Sequence, residues 1–190
     1  MELQLLTQSK MGFDILFWGI LLLIFPIYGI NDIAAAVLII VALNRGKSYL
    51  SDFKRAIPAS WILLAIGILE LIFSLIIPYY DTVSNIINIW RFGIIIPLLI
   101  FIILGIKELA IIGENKEIHD MAKRLQNPIC ISACVSAILI AFSQLISWLY
   151  YLAITAKFSL AIIIIMLVQV IFQCYKKLNV YPGAVADDED

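Results

Sequence analysis

Ile57 to Tyr80 reads IPASWILLAIGILELIFSLIIPYY, and Glu70 is the only charged side chain in it. A helix rises about 1.5 Å per residue and the hydrocarbon core of a bilayer is about 30 Å thick, so a helix of this length can cross it. Water would be a poor solvent for such a surface. Three further stretches have the same character: Ile89 to Ile106, Ile129 to Tyr151, and Phe158 to Tyr175.

The rest of the chain agrees with this reading. Of 190 residues, 63% are hydrophobic and 14% charged, against about 45–50% and about 25% in soluble domains. Isoleucine alone supplies about a fifth. The expected fold class is therefore all-α, a polytopic transmembrane helix bundle of about five spans. The bilayer itself is the first expected partner. One domain is expected over residues 1–178, with an acidic, solvated tail at 179–190.

The first apolar region, Phe13 to Leu43, is too long for one upright span and short for two. Pro26, Gly29, Asn31 and Asp32 gather in its middle, which is turn chemistry. It forms either one kinked, tilted helix, the preferred reading, or a hairpin of two short helices, which would make six spans. Ala34 to Ala36 follow an apolar stretch as at a cleavage site. However, Lys10 is the only basic residue before it and the apolar run continues, so the amino terminus is expected to be retained.

Charge placement gives the sidedness. Arg45, Lys47, Lys54 and Arg55 lie in one loop, Lys107, Lys116, Lys123 and Arg124 in a second, and Lys176 and Lys177 after the last span. Ten of the thirteen basic residues thus share one side. The positive-inside rule places both loops and the carboxy terminus in the cytoplasm of a cell (inner or plasma) membrane. Val41 to Arg55 and Ala110 to Arg124 also align without gaps, each followed by a proline, Pro58 or Pro128, that opens the next span. These cytoplasmic arms, 44–56 and 107–127, are expected to be helical extensions.

In the second arm Ile118, Met121 and Leu125 recur at helical spacing, while Lys116, Asp120 and Arg124 fall on another face at i, i+4 intervals. Such stripes either pack on each other or rest on the lipid headgroups, or they dock a cytosolic partner. In Ile129 to Tyr151, Ala133, Ala137 and Ala141 repeat every fourth residue, a spacing that lets helix backbones approach closely within the bundle or between subunits.

Few residues could carry chemistry. Glu70 lies near the middle of a span, where a carboxylate costs about 2.5–3.5 kcal/mol to insert and needs a partner or a wet cavity. By depth its expected neighbours are Ser74, Ser143, Gln144 and Ser147. Asp32 sits at the break in the first region, where a turn-forming role is the commoner explanation. Asp81, Arg91 and Lys157 read as ordinary residues of the outer interface.

His119 with Cys130 raises a membrane cysteine protease of the peptide-pheromone-processing type. The residues Lys116-Glu117-Ile118-His119 lack the Gly-Gly-x-His context of those enzymes. Cys130-x3-Cys134 with one histidine is a weak metal pattern. No cofactor, no metal and no enzymatic activity are expected. With a net charge of −1 and no basic stripe, nucleic acid is not an expected partner.

Gly67-Ile68-Leu69, Pro78 and Gly105-Ile106 give the hairpin from Ile62 to Ile112 a pattern that resembles small multi-hairpin membrane proteins of the HdeD acid-resistance type. The likeness covers about a quarter of the chain. It implies a multi-hairpin fold, and Glu70 and the charged arm depart from it.

Two functions fit. The first is a non-enzymatic, homo-oligomeric membrane subunit that anchors or relays to a cytosolic partner, as in a bacterial defence or stress system. The second is a small ion or proton channel or transporter using Glu70 and Asp32.

Overall fold

A computed structural model of the chain describes residues 12–24, 29–47, 50–76, 80–143 and 149–177. Six helices fill these segments: α1 (Phe13–Leu22), α2 (Ile30–Gly46), α3 (Ser51–Ile76), α4 (Tyr80–Ile112), α5 (Lys116–Ser143) and α6 (Leu149–Lys177). Among the described residues there is no strand. Each helix packs on the next in the chain, and α1 packs on α6, so the six close into a ring.

Three helical segments are long and apolar enough to cross a membrane: Ser51–Ile76, Ile86–Ile112 and Tyr151–Lys176. Their flanks carry large apolar side chains that face outward, among them Trp61, Leu75, Trp90 and Phe158. Extended apolar surface of this kind suits lipid rather than water. The core lies inside the ring and is aliphatic, with Leu16, Leu43, Leu63, Leu98, Ile102 and Leu167 fully buried or nearly so.

Of the two readings of Phe13 to Leu43, the preferred single kinked helix gives way to the hairpin. α1 has 10 residues and α2 has 17, so α1 rises about 15 Å and does not reach across a bilayer alone. Gly19 of α1 lies directly against Ala35 and Ile39 of α2, which sets the two backbones close together. Asn31 and Asp32 are not turn residues; both lie in the first turn of α2. The expected turn residue Pro26 lies outside the described residues, as does the acidic tail.

The arms are less separate than expected. Pro58 and Pro128 do not open new helices, because α3 and α5 run through them without a break. α2 runs to Gly46 and α3 begins at Ser51. Between α4 and α5 the chain turns within Gly113 to Asn115. Glu114 adopts φ 50° there, and Asn115 Oδ1 accepts a 3.1 Å hydrogen bond from the Ile118 amide. An asparagine N-cap of this kind satisfies one of the orphan amides at a helix start. Lys107 Nζ also donates to Gln126 Oε1 across the two helices at 3.2 Å.

The outer ends differ from the sequence expectation in the same sense. Lys157, expected at the outer interface, lies within α6, and Asp81 and Arg91 lie within α4. Extending these helices carries Arg91 and Lys157 onto helical surface within the bundle.

Candidate functional site

Asp32, Glu70 and Arg91 come from three different helices and meet in one buried layer. Asp32 is 0% exposed, Arg91 4% and Glu70 5%. Arg91 Nη2 stands 2.7 Å from Asp32 Oδ1, the spacing of a charge-assisted contact. The carboxyl of Glu70 is near enough for its charge to bear on Asp32. Three ionisable groups therefore share one apolar interior, where each unpaired charge would be costly.

Local sequence explains how the two carboxyls come together. α2 begins at Gly29, whose φ of 77° only glycine adopts without strain. A side chain at Gly29 would run into the Gly67 carbonyl oxygen of α3, and its Cβ would stand 3.1 Å from Glu70 Cβ. In return, a side chain at Gly67 would press on Ile33 and Asp32. Two glycines thus let the start of α2 rest on the backbone of α3, with Asp32 and Glu70 flanking the crossing. Asp32 also occupies the first turn of α2, where the helix dipole favours negative charge.

The layer sits toward the end of the bundle opposite the basic turns. Asp32 is two residues into α2, Glu70 six residues before the end of α3, and Lys157 eight residues into α6. On the α4 side, Arg91 and Asn88 line a cavity of about 130 Å³ together with Lys157 of α6. Leu23, Phe92 and Ile164 supply part of its apolar wall. Lys157 is exposed.

Two expectations for individual residues are corrected. Asp32 is half of a buried ion pair rather than a turn former. Arg91 is the other half and not an interface residue, and sequence reasoning missed it. The available signal was a lone arginine inside the apolar run from Ile86 to Ile112, at a depth comparable with that of Asp32.

The other expected site residues fall elsewhere. Ser74 donates to the Leu71 carbonyl of its own helix at 2.8 Å. Gln144 and Ser147 lie outside the described residues, as do the side chains of Ser143, Ala133, Ala137 and Ala141. In the second arm Ile118 is 0% exposed and Leu125 4%. Both belong to the same core as Ile106 and Leu109 of α4, so the apolar stripe packs within the protein. Lys116 and Arg124 remain exposed, and Asp120 and Met121 are half-buried.

His119 and Cys130 stand eleven residues apart on the single helix α5, a rise of about 16 Å, beyond hydrogen-bond reach of each other. Among the described residues no group of three His, Cys, Asp or Glu side chains could hold a metal ion.

Compared with known proteins, the chain matches no protein-family model, no curated protein and no solved structure.

Proposed function

We propose that the chain is a multi-pass membrane protein that conducts or transports a proton or small ion through its buried charged layer, with Glu70 as the group that carries it. The observation that supports this is the meeting of Asp32, Glu70 and Arg91 inside an apolar bundle. Two carboxyls and one guanidinium thus share an interior closed to water, where a carboxyl is the kind of group that takes up and passes on a proton or holds a cation. Ionisable residues at such depth are expensive and commonly mark ion pathways. The rival reading, a platform for a cytosolic partner, loses its main support once Ile118 and Leu125 are in the core. Its remaining surface is the charged rim of Lys116, Lys123 and Arg124.

Reconstituted into proteoliposomes, the protein should dissipate an imposed pH or cation gradient. Glu70→Gln keeps the shape and removes the dissociable proton, so flux should fall by about tenfold or more. Flux that is absent from the native protein, or equal in the variant, overturns the proposal.

In this reading the basic turns face the cytoplasm. Single cysteines placed at Lys47 and Lys116, both exposed, in a background without Cys130, Cys134 and Cys174, should react with an impermeant thiol reagent only in inverted vesicles. Labelling of the two positions from opposite faces would dismantle the arrangement.

A further inference from the structure

The cavity beside the ion pair has a composition that the proton-carrying role of Glu70 does not require. Its polar lining residues are Arg91, Lys157 and Asn88, and the remaining wall is apolar. Neither Asp32 nor Glu70 lines it. Arg91 is more than nine-tenths buried, yet its Nε–H has no acceptor among the described residues. A buried donor left without an acceptor costs free energy that a ligand's oxygen would recover.

We propose that this cavity binds a short monocarboxylate anion. Its carboxylate lies between Arg91 and Lys157, and its alkyl chain lies against Leu23, Phe92 and Ile164. Charge favours an anion on the Lys157 side of the space, because the Arg91 guanidinium is shared with Asp32 while Lys157 adds a second positive charge to the lining. Shape selects a carboxylate, because a guanidinium edge matches its planar pair of oxygens. A phosphate would present four oxygens to a wall that is mostly hydrocarbon. Size sets the chain length: a dry cavity of about 150 Å³ accommodates the six carbons of benzene, so about 130 Å³ takes an acid between acetate and butyrate. The inference rests on reading the charged layer as an ion-handling site, since Arg91 belongs to both and would link carboxylate occupancy to the Asp32–Glu70 pair.

Saturation-transfer NMR on the detergent-purified protein tests this with sodium propionate as probe and sodium chloride, phosphate and octanoate as competitors. Saturable propionate binding is expected with Kd on the order of 1 mM, as suits a ligand of this size. Lys157 is exposed, so Lys157→Gln should fold normally and weaken binding about tenfold by removing one charge-assisted contact. Ala161→Phe should fill the cavity and abolish binding, and octanoate should compete poorly. Absence of saturable binding overturns the proposal, as does equal binding by both variants or equal competition by phosphate.

Glu70→Gln separates this proposal from the transport reading. Propionate binding that survives the change while flux is Glu70-independent sinks transport alone, whereas Glu70-dependent flux without propionate binding sinks the pocket alone.

Discussion

Arg91→Leu should destabilise the folded protein by about 3–5 kcal/mol, the usual cost of removing one member of a buried ion pair. The cause is less the lost attraction than the charge left behind. Asp32 has no exposed surface, so its carboxylate cannot turn to water once Arg91 is gone. Asp32→Leu should cost a similar amount for the reciprocal reason. The double variant should be much closer to the native protein than the two single losses together, because a well-packed apolar pair often replaces a buried ionic one without penalty. Denaturation by graded detergent exchange, followed by helical circular dichroism, measures all three. Additive losses would mean that the 2.7 Å contact carries no energetic coupling, and the charged layer would lose its centre.

Gly29→Ala is the second large effect, for a different reason. A single methyl there meets the Gly67 carbonyl oxygen and comes within 3.1 Å of the Leu71 amide nitrogen, both of them backbone atoms that cannot swing aside. The residue must also hold φ at 77°. Left-handed backbone costs a side-chain-bearing residue about 1–2 kcal/mol, and overpacking adds about 1–3 kcal/mol. The expected loss is therefore about 2–5 kcal/mol, read in the same denaturation assay. Gly93→Ala is the control, since nothing lies within 4 Å of that position and alanine is the better helix former by about 1 kcal/mol. A Gly29→Ala variant as stable as Gly93→Ala would show that α2 does not rest on α3 as described.

Much of this architecture is written locally, and the charged layer is not. The stretch around Glu70 announces a long apolar helix because apolar length is a property of consecutive residues. The first region announces a break because Pro26, Gly29, Asn31 and Asp32 cluster. The composition does not show on which side of that cluster the next helix begins, and α2 takes Asn31 and Asp32 into its first turn. Arg91 escaped notice because polar residues near the end of an apolar run ordinarily sit at the membrane surface. α4 starts back at Tyr80, so Arg91 lies well inside the helix, where it meets Asp32 of α2.

The pairing of Arg91 with Asp32 joins residues distant in sequence, and no local pattern encodes such a contact. The stripe of Ile118 and Leu125 was legible as an apolar face, but periodicity names a face without naming what covers it. Here α4 covers it.

Closure of the ring by α1 on α6 ties the order of synthesis to the order of assembly. Phe17 of α1 meets Phe172 of α6 at 6.1 Å between ring centroids, so an early helix finds part of its packing only on one made much later. A ribosome that has delivered everything up to α5 has a nascent chain in which α1 still shows one bare flank. α6 then acts as a latch, and a stop codon placed before Leu149 would release a product that quality-control proteases recognise at that open seam.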